Sequence, residues 1–198
     1  MREDDEPKET ETDAQQPGRL LEDRLFKSRS VLITGTIQDK LAARVSAQLL
    51  ALAADDGEAP IDVFVSSPGG HVESGDMIYD MVQFVEAPVR MIGTGWVASA
   101  GALIFVAVPL ERRFCLPNTR FLLHQPSGGM MGSASDVAIQ AEQIIKMRDR
   151  LNHIFADATG QKLERVARDT DRDYWMGPKE AIEYGLLGKV IRTKRNLD

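Results

Sequence analysis

Ser99, His124 and the acids Asp169, Asp171 and Asp173 are the side chains of this sequence that could together perform nucleophilic chemistry. A serine hydroxyl attacks poorly until a base takes its proton, and that base needs a third group to hold its tautomer. Only three histidines exist, His71, His124 and His153, so the choice of base is narrow. His124 ends the apolar run Phe121-Leu122-Leu123 and precedes Gln125-Pro126, a strand terminus of the kind where parallel α/β folds place their sites. His71 follows a diglycine and could serve, but it starts a helix in a turn. His153 falls among mixed neighbours in the middle of a long helical pattern and reads as a surface residue. Ser67-Pro68-Gly69-Gly70 adds a second element. Two glycines at a strand end let backbone N–H groups turn outward and let a ligand approach closely.

Other chemistries fit less well. Residues 93–98 satisfy the relaxed dinucleotide pattern G-x-G-x-x-A, but the ribose-binding acid expected about 20 residues on is missing, and Cys115 stands there. No G-x-x-x-x-G-K-[ST] run occurs, so a P-loop is excluded. Around Ser99, Gly101 matches the nucleophile elbow G-x-S-x-G, while Val97 occupies the first glycine position. A serine at a strand-to-helix junction lies beside unpaired N–H groups at the positive end of a helix. Unless a base and an acid converge on it, its ordinary role is that of an N-cap. The acids at 169–173, taken alone, read as a solvated ion-pair patch.

The elements that must carry these residues follow from periodicity. Residues 31–37 read as a strand closing on Gly35, and Asp39 as the cap of a helix with Leu41, Val45, Leu49 and Leu52 on one face. A strand over 61–65 stops at the Ser-Pro-Gly-Gly turn, and a second helix carries Val72, Ile78, Met81, Val82 and Val85 inward. Residues 89–92 form a strand ending at Gly93-Thr94-Gly95, and a short buried helix follows Ser99. Strands at 113–116 and 120–123 precede the glycine-rich segment 127–132, then the longest helix, 133–159. Helices near 162–169 and 178–184 and a strand at 189–192 close the chain. Alternating strands and helices predict an α/β fold with mainly parallel pairing in one domain over 19–198.

The chain has 198 residues, 43% of them hydrophobic and 27% charged, which is a globular composition. A single cysteine forbids an internal disulfide and, with three histidines, a Cys/His zinc cluster. The net charge of -6 sits mainly in residues 1–16, which hold seven acids against Arg2 and Lys8. Residues 1–18 thus read as an acidic disordered tail or a leader. The near-neutral body offers no footprint for nucleic acid, and no apolar run is long enough for a membrane span.

In order along the chain, residues 67–70, 95–102, 113–118 and 124–129 resemble the proteolytic subunit of Clp proteases, the ClpP family. Residues 158–161, 168–173 and 181–186 extend the likeness over about 19–193. The resemblance implies the ClpP/crotonase-type fold with repeated strand–helix units and a protruding handle helix at 133–159. It implies Ser99 as nucleophile, His124 as general base and Asp173 as orienting acid, with the backbone N–H groups of Gly70 and Ala100 as oxyanion hole. Gly128 and Gly129 would pair as a strand with substrate backbone. It further implies a cytoplasmic serine endopeptidase without metal or cofactor, active on unfolded polypeptides as a homo-oligomer of two stacked heptameric rings. An AAA+ unfoldase of the Clp type would spend the ATP. Arg172 would join ring-to-ring ion pairing, and triad alignment would depend on assembly. The sequence departs from the family in several places. Ala100 replaces methionine after the nucleophile, and Trp96 and Val97 replace smaller or polar residues near the site. The tyrosine-containing lead-in before Arg19 is missing, and Asp62 replaces an aromatic residue gripped by unfoldase loops, whereas Phe64 keeps its place. Two rivals remain: a catalytically quiet ring subunit, and an acyl-CoA enzyme of the crotonase type.

Overall fold

The computed structural model describes residues 16–129 and 131–197. Most of the expected acidic tail lies outside them. Its last residues, 16–18, form the first turn of α1 (Gln16–Lys27), since proline is tolerated in a first turn. The chain continues through β1 (Ser30–Thr34), α2 (Asp39–Asp55), β2 (Ile61–Ser67), α3 (Val72–Phe84), β3 (Val89–Ala98) and α4 (Ala100–Phe105). Then come β4 (Arg113–Cys115), β5 (Arg120–Leu123), α5 (Ala134–Thr159), α6 (Leu163–Asp169), β6 (Tyr174–Met176), α7 (Pro178–Tyr184) and β7 (Lys189–Val190). No helix among the described residues is long and apolar enough to cross a membrane.

One seven-stranded sheet organises the molecule, in the order β1-β2-β3-β4-β7 with β5 branching from β3 and β6 from β5. Every pairing is parallel except β5 with β6. The strand expected to stop at Gly93 runs on to Ala98. Its first half pairs with β4 through Met91 to Gly93, and its second half pairs with β5 through Trp96 to Ala98. The glycines therefore bend a strand between two partners and do not terminate it.

The core forms where the apolar faces of α2 and α3 meet the sheet, with Val45, Leu49, Leu52, Ile78 and Val82 buried. Asp39 does not cap α2 with its side chain; Gln38 holds the cap position and Asp39 reaches α3. Every residue of α4 is buried. The handle α5 buries only Leu151, Asn152, Phe155 and Ala156, all in its C-terminal half. Its N-terminus is closed by a capping box between Ser133 and Asp136, and its C-terminus by left-handed Gly160. Arg150 of α5 grips Asp76 of α3 with two bonds of 2.8 and 2.7 Å. Buried Arg113 ties α4 to α5 by donating to the carbonyls of Val106, Val108 and Ala158. On the sheet, Asp62 is buried and paired with Arg90 at 2.7 Å.

Candidate active site

Ser99 links β3 to α4 at φ 55°, ψ -121°, in the left-handed region that non-glycine residues rarely adopt. Such a conformation costs about 1–3 kcal/mol. Burial of Leu103, Ile104 and Phe105, worth roughly 1.5–3 kcal/mol each, outweighs that cost and holds the turn. The Ser99 N–H donates to Leu122 O at 3.0 Å, and its carbonyl accepts from Ala102 and Leu103. Its hydroxyl makes no capping bond, so the N-cap explanation fails and the side chain stands half-buried at the helix start.

The diglycine turn lies against this serine. A Cβ on Gly69 would fall 2.5 Å from Ser99 Cβ and 3.0 Å from its Oγ, so no side chain fits there. Gly70 at φ 150° would drive a Cβ to 2.2 Å from Ile37 O. The Ile37 N–H donates to Gly69 O at 2.9 Å. In a trans peptide the C=O and the following N–H point oppositely, so this bond turns the Gly70 N–H away from Ile37. Neither the Gly70 N–H nor the Ala100 N–H, the first of α4, finds a backbone acceptor among the described residues.

Register sets the remaining side chains. Leu123 of β5 faces Tyr174 of β6 in the antiparallel pair, so the next positions, His124 and Asp173, lie opposite one another. His124 Nδ1 lies 3.0 Å from Asp173 Oδ1. The carboxylate calls for a proton on Nδ1, which leaves the Nε2 lone pair free to accept one. The other two acids are engaged elsewhere. Asp169 faces the Tyr184 hydroxyl at 3.2 Å and Arg165 at 3.4 Å, and Asp171 accepts from Gln125. Parallel pairing of Ala98 with Leu122 brings Ser99 to the same edge. Ser99 and His124 line one small cavity with Val72, Ala100, Leu103 and Phe155. The hydrogen bonds of the described residues include none between Ser99 and His124. His153 stays exposed on α5, as the periodicity suggests.

Residues 124–129 form no strand among the described residues. Residues 124–128 border an open groove with Ile144 of α5 and with Asp171, Arg172 and Asp173. Their backbone thus has no neighbouring strand. The sequence reading missed Gln125, whose N–H reaches Thr170 O at 2.6 Å and whose side chain holds the 171 loop. Also missed was Asn152, which receives the Thr170 hydroxyl in the interior. A polar residue on the inner face of a helix is the one signal that pointed to it. No group of three or more potential metal ligands occurs among the described residues.

This arrangement of a strained serine, a diglycine turn and a branched parallel sheet has relatives. Residues 15–194 match the family described as Clp protease. The chain belongs to the Clp protease family. A curated relative from Rhizobium etli, called ATP-dependent Clp protease proteolytic subunit 3, is 58% identical over 98% of this chain and 99% of its own. Proteolytic subunit 2 of Pseudomonas aeruginosa is 48% identical over 100% of this chain and 98% of its own. The solved ClpP1 of Listeria monocytogenes shares 45% identity with a TM-score of 0.81, covering 90% of this chain and 99% of that one. A solved mutant of the same Listeria protein gives 46% and 0.84 over the same shares. The fold is that of ClpP, mixed α/β with a mostly parallel sheet.

Proposed function

We propose that this Clp-family chain is a serine endopeptidase that cuts unfolded polypeptides into short peptides. Ser99 Oγ attacks the peptide carbonyl while His124 Nε2 takes its proton, and Asp173 holds the imidazole and offsets its charge. The Gly70 and Ala100 N–H groups receive the oxyanion. His124 then protonates the leaving amine, and water hydrolyses the acyl-enzyme by the same route. No metal or cofactor of this chain takes part. The observation that carries the reading is Ser99 held at positive φ, uncapped, between two free amides and beside a His124–Asp173 pair at 3.0 Å. Ser99 and His124 are not yet bonded. Apo sites are often loose in this way and tighten with substrate.

The backbone of 126–129, which has no strand neighbour among the described residues, suits an extended substrate added as a strand, with Gly128 and Gly129 imposing no side-chain selection. Relatives named as proteolytic subunits of ATP-dependent Clp proteases support a multi-subunit particle that works with ATP. We take it to be a cytoplasmic particle of two heptameric rings fed by an AAA+ unfoldase that spends the ATP. The test is hydrolysis of short fluorogenic peptides by the sized particle beside Ser99→Ala, with a serine-reactive phosphonate located by mass spectrometry. The expected outcome is cleavage lost in the variant and label on Ser99. An assembled particle that neither cleaves nor labels would overturn the reading in favour of a quiet ring subunit.

A further inference from the structure

His71 takes no part in the chemistry above, although it directly follows Gly70. Its Nδ1 lies 2.9 Å from Ser74 Oγ, and Ser74 Oγ donates to Asp39 Oδ1 at 2.6 Å. Ser74 is buried and has one proton, which goes to the carboxylate, so its oxygen can only accept from the ring. His71 Nδ1 is therefore a donor. Asp39 Oδ1 also lies 3.3 Å from the ring, and Glu73 Oε2 stands 3.1 Å from Nε2. The Ser74 hydrogen bond and then the charge of His71 hold the Asp39 carboxyl below its usual range.

The chain His71–Ser74–Asp39 joins the start of α3 to the start of α2. Asp39 lies two residues beyond Ile37, the residue that brackets the diglycine turn. The Ile37 N–H binds Gly69 O, and its carbonyl receives the His71 N–H, each at 2.9 Å. The backbone bracket and the side-chain brace thus close on the same two segments, 37–39 and 69–74. The orientation of the Gly70 N–H depends on how closely those segments are held.

We propose that His71 is a positioning residue: through Ser74 and Asp39 it locks the diglycine turn and keeps the Gly70 amide aimed where the oxyanion forms. The inference rests on the peptidase reading of Ser99. Losing an oxyanion donor outright costs about 10²–10³-fold in kcat, and misaligning one costs less. In the full-length chain, His71→Ala lowers kcat about tenfold with KM changed less than about twofold. Asp39→Ala does the same, and the double variant is no worse than either single one, because both break one brace. His71→Asn, whose amide nitrogen takes the Nδ1 position, restores kcat. His71→Gln, whose nitrogen reaches only the Nε2 position, does not.

Amide exchange over residues 67–71 follows the same order without needing turnover: faster in His71→Ala and Asp39→Ala, restored in His71→Asn. Exchange unchanged in every variant, a loss confined to KM, or equal rescue by Asn and Gln would each overturn the brace. These outcomes are separable from failure of the parent reading. In that case the unmutated chain itself neither cleaves peptide nor labels at Ser99, and the positioning role falls with it.

Discussion

At the scale of single residues, what distinguishes Asp173 from its neighbours is the direction in which it faces. Three acids crowd residues 169–173, yet Asp169 is occupied by Tyr184 and Arg165, and Asp171 by Gln125. Only Asp173 meets His124 Nδ1, as an acceptor that keeps the proton on that nitrogen. Asparagine is nearly the same shape but can present an N–H to the ring, which favours the wrong tautomer and offers no charge to the imidazolium. Asp173→Asn is expected to lower kcat on the order of 10⁴-fold, as the same change does in a serine triad on another fold, while leaving Tm close to wild type. Steady-state kinetics beside thermal unfolding checks it. A loss below tenfold would remove Asp173 from the mechanism. The Ser74 hydroxyl follows the same logic on a smaller scale, since its single proton decides which neighbour must donate to it.

At the scale of elements, the handle helix α5 is anchored at one end and free at the other. Its fully buried residues begin at Leu151 and Met147 packs partly against the core, so the exposed first two turns, residues 134–140, rest on local devices. The chief device is the capping box, in which Asp136 accepts from both the Ser133 hydroxyl and the Ser133 N–H. Those bonds hold the Asp136 carboxyl below its ordinary value. A carboxyl depressed in the folded state stabilises above its unfolded value, and that contribution is lost as pH falls through the lowered one. Ser133→Ala is therefore expected to fray the first turns at neutral pH, and acidification to do so in the unmutated chain. Amide exchange should quicken over residues 134–140 and stay slow over 151–156. Uniform exchange along α5 would show that the cap is not what holds its free end.

At the scale of the whole molecule, one buried cation joins the layers. The Arg113 guanidinium supplies the carbonyls of Val106, Val108 and Ala158, which have outrun their own helices. Burial pushes its pKa down to about 10, so it stays protonated at neutral pH. Arg113→Ala strands several buried carbonyls, each costing about 1–3 kcal/mol. Denaturant unfolding is expected to show a loss of roughly 3 kcal/mol or more. A loss under about 1 kcal/mol would mean that water replaces the guanidinium.

Local residue order determined the helices α2, α3 and α5, because apolar side chains three and four positions apart must share a face wherever the chain goes. It also determined the alternating architecture and the nucleophile candidate, since Ser99 falls between a strand pattern and a buried run. Elements defined by partners were decided by the tertiary structure. Tyr174–Met176 is a strand only because β5 lies alongside, and three residues carry no period of their own. Strand β3 passes its glycines only because β4 takes one half and β5 the other. Helix α1 has no counterpart in the periodicity reading, and its first turn takes in Pro17, whose missing N–H would find no partner there in any case. The site divides in the same way. Residue type and neighbours left a serine, a histidine and three acids, the family resemblance pointed to Asp173 among them, and register across β5 and β6 sets Asp173 opposite His124. The folding of 37–39 onto 69–74 placed His71, Ser74 and Asp39 in one chain. Hydrogen bonds between segments 30 to 50 residues apart leave no periodic trace in the sequence, because they are set by how the sheet brings strand ends together.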